Sequence, residues 1–143
     1  MRMRDLADIL VGVMLLFHSV TDCRYRKIWW PAAAVFSAAG LAVSALQSPG
    51  ELGSAAAGLS LGLLFWLLSK VTKEAVGSGD AFVIGSCGAW IGPEGCLELV
   101  FLSLLGAFFW ALILVIVCKA EKKKRFAFVP FLFGAQVCRI LMK

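Results

Sequence analysis

The sequence predicts an all-α integral membrane protein, a bundle of about six transmembrane helices. Three observations predict it. The chain is 61% hydrophobic and only 16% charged, with a mean hydropathy of +0.89, whereas soluble domains are closer to half apolar and a quarter charged. The apolar residues form long runs without strand-like alternation. The charges gather in the short connections between those runs. The runs fill a chain of 143 residues and leave no length for a soluble domain, so residues 1–143 read as one polytopic domain.

Six apolar segments can be marked, at residues 6–21, 28–46, 52–68, 81–91, 96–118 and 126–142. Lipid offers the backbone no hydrogen bonds, so each segment must close its own and form a helix. The third segment is crowded with small residues: Gly53, Ser54, Ala55, Ala56, Ala57, Gly58 and Gly62. Such residues let one helix backbone approach another closely. The fourth segment is short. At about 1.5 Å per residue it reaches about 17 Å against a bilayer core of about 30 Å. Its helix therefore begins upstream near Gly77, or Asp80 sits below the headgroups. Either way Asp80 lies at the edge of the hydrocarbon, beside water.

The connections alternate in charge. The first carries Arg24, Arg26 and Lys27, the third Lys70 and Lys73, and the fifth Lys119, Lys122, Lys123, Lys124 and Arg125. The second and fourth hold Glu51 and Glu94 and no base. The positive-inside rule puts connections one, three and five in the cytosol and both termini outside. The net charge of +5 thus marks topology and anionic-lipid contact rather than nucleic acid. The start Met1-Arg2-Met3-Arg4 imitates a secretory signal, but Asp5 and Asp8 interrupt it and no small-x-small cleavage site follows. The first segment is therefore expected to be retained.

On this topology two acids far apart in sequence reach the same membrane face. Asp22 ends the first segment and Asp80 opens the fourth. A carboxylate at the mouth of a membrane segment costs free energy and needs a reason. Two such groups sharing a proton can activate water for hydrolysis. Gly77 and Gly79 flank Ser78 just before Asp80. Without side chains they allow close backbone approach, as an extended peptide substrate would need. Each residue also has a plainer reading. Asp80 can be a helix N-cap after a glycine turn, and Asp22 an interfacial acid beside Arg24, Arg26 or Lys27. A non-catalytic membrane assembly protein or a small transporter subunit would suit the same residues, with Asp22 and Asp80 structural or ion-binding.

Other residues have bland explanations. His18 shares a helix face with Asp22, and either packs or tunes its proton affinity. Glu74 reads as a loop acid beside Lys70 or Lys73. Trp29 and Trp30 read as interfacial anchors. Cys23, Cys87, Cys96, Cys118 and Cys138 contain no C-x-x-C pair. They suit small fillers better than a disulfide framework or a metal knuckle. No metal or organic cofactor is expected.

The pattern of motifs resembles the type IV prepilin peptidases. In Asp22-Cys23-Arg24-Tyr25-Arg26-Lys27-Ile28-Trp29-Trp30, Asp22, Arg24 and Ile28 match the family's Asp-x-Arg-x-x-x-Ile-Pro-Asn, and the two tryptophans replace Pro and Asn. Gly77, Gly79 and Asp80 meet its Gly-x-Gly-Asp, followed by Ala81-Phe82 in place of Val-Lys. Phe126-Ala127-Phe128-Val129-Pro130-Phe131 is similar to a late Pro-Phe-Gly-Pro-Phe segment. The resemblance implies a membrane-embedded aspartyl endopeptidase, with Asp22 and Asp80 catalytic. It would remove a basic leader from prepilins or pseudopilins at the cytosolic membrane face. Larger members also methylate the new N-terminus and often carry paired C-x-x-C motifs. This chain has none and begins almost directly with its first helix, so peptidase activity without methyl transfer is the expectation.

Overall fold

A computed structural model describes residues 3–25, 28–73, 77–117 and 127–142. Arg26, Lys27, Glu74, Cys118, Phe126 and the basic connection from Lys119 to Arg125 lie outside the described residues. The elements are all helices: α1 (Met3–Tyr25), α2 (Trp30–Gln47), α3 (Pro49–Val71), α4 (Ser78–Val117) and α5 (Val129–Leu141).

Local chemistry sets their ends. Pro31 stands in the first turn of α2, where its missing N–H is no loss. Ser48 is extended, at φ −170° and ψ 158°, and separates α2 from α3 by itself. Its hydroxyl accepts from the Glu51 N–H at 3.3 Å, and Pro49 follows in the first turn. That cap starts α3 three residues earlier than the apolar run suggests.

The 40-residue α4 is not straight. Gly92 has φ 73° and ψ 179°, a backbone region essentially reserved for glycine. The Cys96 thiol reaches the Ile84 carbonyl at 3.5 Å. Twelve residues along a straight helix would put them about 18 Å apart. The chain therefore doubles back at Gly92, and α4 is a helical hairpin with arms 78–91 and 93–117. The turn falls where the sequence suggested a connection, but a single non-helical glycine makes it.

Among the described residues, four helices are long and apolar enough to cross a membrane: Arg4–Tyr25, Trp30–Gln47, Pro49–Val71 and Ser78–Val117. With 13 residues, α5 spans about 20 Å, and the arm 78–91 about 21 Å, short of a core of about 30 Å. Length and composition of the described helices thus support four spans and do not confirm the expected count of about six.

The helical arms alternate in direction. In α3, Gly58 lies on Gly88 of α4, and Gly62 on Gly85, so these two run antiparallel, backbone against backbone. A methyl group at either α3 glycine would run into the other helix's main chain. In α2, the Ala33 carbonyl accepts from Ser86 at 2.9 Å, and the Phe36 carbonyl accepts from Trp90 Nε1 at 2.9 Å. This pair runs parallel. Helix α5 runs antiparallel to α1, since Gln136 reaches the Asp8 carbonyl at 3.0 Å and Val129 faces Asp22. Among these helices Val11, Leu15, Val83, Ile84, Leu99 and Leu132 form the core. Val35, Phe101, Phe108 and Ile116 lie exposed, an apolar exterior suited to lipid.

Candidate active site

Alternation brings the end of α1, the start of α2, the end of α3 and the starts of α4 and α5 to one end of the bundle. Asp22, Ile28, Ser69, Asp80 and Val129 therefore share that end. Arg24, Lys70 and Lys73 belong to it as well.

Asp80 is the third residue of α4, and Gly77 stands at the cap position. The Asp80 and Ala81 N–H groups both donate to the Gly77 carbonyl, at 3.1 and 3.4 Å. Asp80 is thus not the N-cap. Its carboxylate folds back over Gly77, so that a Cβ there would meet Oδ2 at 2.7 Å. That is the geometry of an acid in the first turn reaching back to its cap. A Cβ on Gly79 would meet the Ile28 side chain at 2.8 Å. Ile28 is thereby seated on Gly79, and the segment after α1 is pressed against the glycine turn. Both glycines have a reason in the fold: Gly77 makes room for the Asp80 carboxylate, Gly79 for Ile28.

Asp22 lies in the last turn of α1 and is half-buried. Asp22 and Asp80 are close enough for their charges to repel one another. The backbone N–H of Val129, the first residue of α5, is directed at the Asp22 carboxylate. Pro130 has no N–H to offer, and the Phe131 and Leu132 N–H groups donate to the Phe128 carbonyl. A helix start that keeps one outward N–H and carries a positive partial charge suits an acid. Thus three helix ends converge on two carboxylates. The sequence marked 128–131 only as a motif and gave it no role. A proline in the first turn of a helix facing an acid was the available signal.

His18 is buried, and its Nδ1 donates to the Met14 carbonyl at 3.0 Å. Its ring edge meets Phe17. The packing reading accounts for this geometry, although Nε2 has no hydrogen-bond partner among the described residues. Trp29 and Trp30 are exposed. Cys87 and Cys96 are buried fillers, whereas Cys23 and Cys138 are exposed thiols. A group of three metal-binding side chains is absent among the described residues.

A polar cavity of about 420 Å³ lies at the opposite end, near Gly92. There Arg139 of α5 bonds Asp8 of α1 at 2.7 Å and Glu98 of α4 at 3.1 Å. Asp8 is buried and also faces Gln136. The sequence gave no weight to this clasp. Its sign was a Gln and an Arg three residues apart in an otherwise apolar helix. It ties three helices together far from Asp22 and Asp80.

The sequence that builds this bundle has relatives among known proteins. Residues 9–118 match the type IV leader peptidase family, a stretch that includes both aspartates and the glycine turn. The chain belongs to the type IV leader peptidase family. A prepilin leader peptidase/N-methyltransferase of Pectobacterium carotovorum is 35% identical over 92 residues, 64% of this chain and 33% of that protein. One of Xanthomonas campestris is 39% identical over 61 residues, 41% of this chain and 21% of that protein. The matched stretches thus span a third or less of these relatives' lengths. No solved structure matches the chain.

Proposed function

We propose that this leader-peptidase family member is an aspartyl endopeptidase that removes the leader from type IV prepilins or pilin-like proteins at the cytosolic membrane face. The observation that carries the reading is the meeting of Asp22 and Asp80, from two different helices, at one end of the bundle. Like charges are costly together in a partly buried place, unless they share a proton. That arrangement is what two-aspartate hydrolysis uses.

The chemistry follows from the pair. The ionised carboxylate takes a proton from water, and the water oxygen bonds to the scissile carbonyl carbon. The protonated carboxyl gives its proton to the carbonyl oxygen. Collapse breaks the C–N bond: the carboxyl that took the water proton passes it to the departing nitrogen, a hydroxyl of the intermediate returns its proton to the other carboxylate as the C=O re-forms, and the pair again shares one proton. The products are the leader carboxylate and the new pilin amino terminus. Gly77 and Gly79 would line the path of the extended substrate beside this pair. The basic connections support a cytosolic site and a multi-pass membrane protein with about six segments crossing or entering the bilayer and both termini outside. The absence of C-x-x-C pairs supports a peptidase without methyl transfer, although both relatives carry a bifunctional name.

The test is co-expression with a prepilin that the wild type processes, read by the pilin's size shift. Asp22→Asn and Asp80→Asn should each reduce processing by at least about 10³-fold while the protein stays at normal membrane levels. Full processing by either variant would return the two acids to a structural role and favour a membrane assembly protein.

A further inference from the structure

Helices α1 and α2 follow one another in the chain, yet they do not pack together. Among the described residues, no Cα atom of α1 comes within 8 Å of one of α2. Each packs instead on α4. The wall of the bundle is therefore open between them. An empty gap forfeits the dispersion contacts of the side chains that line it, so such an opening calls for an occupant.

At the end far from Asp22 and Asp80, this gap opens onto two cavities, of about 420 and 540 Å³. Both sizes suit a small-molecule site, about 300–1,000 Å³. The two share Arg4, Ala7, Glu51 and Trp90 in their walls and so adjoin. The larger is lined by Leu6 and Leu10 of α1 and by Val43 and Gln47 of α2, each pair one helical turn apart. Its polarity is graded. Arg4, Gln47 and Glu51 stand at the helix ends, whereas Val43 lies about 6 Å inward from Gln47 and Leu10 about 9 Å inward from Arg4. The smaller cavity, at the Gly92 turn, is charged. Its walls carry Asp8, Glu51, Glu94 and Glu98 against Arg4 and Arg139. Arg139 already engages Asp8 and Glu98, and the exposed Glu51 and Glu94 give the chamber an excess of acid.

We propose that the gap between α1 and α2 binds one phospholipid with a primary-amine headgroup, of the phosphatidylethanolamine class. Leu6, Leu10 and Val43 receive the start of an acyl chain, Arg4 pairs with the phosphate, and the ammonium faces the carboxylates of Glu51 and Glu94. Four carboxylates against two guanidiniums disfavour a headgroup of net negative charge. A primary ammonium donates three hydrogen bonds to such acids, as a lysine does, whereas a quaternary one donates none. The lipid closes the open wall and ties α1 to α2. Asp22 and Asp80 lie at the other end, so this site stands whether or not they hydrolyse a substrate.

The experiment uses the full chain, purified in detergent and stripped of lipid. It is titrated with phosphatidylethanolamine, phosphatidylcholine or phosphatidylglycerol of identical acyl chains, and read by native mass spectrometry and by Tm. Wild type should hold one phosphatidylethanolamine at least about tenfold more tightly than either other lipid, and saturation should raise its Tm by about 5 °C. Combining Glu51→Gln with Glu94→Gln should remove the preference for the amine over phosphatidylcholine. Arg4→Gln should weaken both of these lipids by about tenfold, since they share the phosphate. Val43→Phe should fill the apolar half and abolish binding, whereas Val35→Phe, on the exposed side of the same helix, should bind as wild type does. The polar variants change exposed side chains and carry the test if Val43→Phe does not fold. Equal binding of all three lipids by wild type would overturn the proposal, as would tighter binding of phosphatidylcholine or phosphatidylglycerol. An amine preference that survives the loss of Glu51 and Glu94 would overturn it too.

Discussion

At the scale of single residues, the site depends on what glycine leaves out. Gly77 gives its Cβ space to the Asp80 carboxylate, and Gly79 gives its own to Ile28. The two neighbours differ in what they can concede. Ile28 has a flexible end that can turn aside, whereas the Asp80 carboxylate must stay aimed. Gly77→Ala should therefore lower kcat by about 100-fold, through misplacement of Asp80. Gly79→Ala should cost less activity. Initial rates on a cleaved prepilin, with thermal unfolding alongside, check this. Equal activity in Gly77→Ala and wild type would show that the carboxylate's fold-back is incidental. The motif Gly-x-Gly-Asp was legible in the sequence. That the first glycine serves its own aspartate and the second serves Ile28 was not, because Ile28 comes from the distant connection between α1 and α2.

At the scale of elements, α3 and the first arm of α4 form the closest pair in the bundle. Lipid tails are as apolar as the side chains, so burial alone does not drive helices together within a membrane. Close backbone approach and dense van der Waals contact take its place. Gly58→Val and Gly62→Val should separate the pair and abolish monodisperse folded protein in detergent, because the obstacle at each is main chain of α4. Gly53, in the same helix, meets nothing within 4 Å. Gly53→Ala should leave stability unchanged or raise it by about 0.5–1 kcal/mol. Size-exclusion profiles and Tm values distinguish these cases. Comparable loss at all three positions would refute the packing argument. The crowd of small residues in α3 was visible in the sequence, but which of them faced α4 required the register.

At the scale of the whole molecule, alternating helix directions sort the charges. Arg24, Lys70 and Lys73 gather at the end that holds Asp22 and Asp80, whereas Glu51, Glu94 and the Arg139 clasp gather at the other. If the aspartate end faces the cytosol, Cys23, exposed and next to Asp22, should be reachable only from that side. In a variant with the other cysteines replaced by alanine, a membrane-impermeant maleimide should label inverted vesicles and spare intact cells. The reverse pattern would invert the proposed topology. The Arg139 clasp, built from α1, α4 and α5, closes the bundle at the far end. The site end is held instead by Ile28 on Gly79 and by the α5 start facing Asp22.

Composition and charge order by themselves determined the membrane-helical class, the alternation of connections, and Asp22 and Asp80 as the acids to watch. These follow from local physics: lipid demands helices, and an acid beside a hydrocarbon segment stands out in one dimension. Only the tertiary structure decided that Asp8 is buried against Arg139, that Val129 faces Asp22, and that the Ser69 hydroxyl has no hydrogen-bond partner among the described residues. Each of these depends on two segments meeting across the bundle. Pairwise contact between distant helices is set by register and backbone approach, and neither is written in any one stretch of the chain.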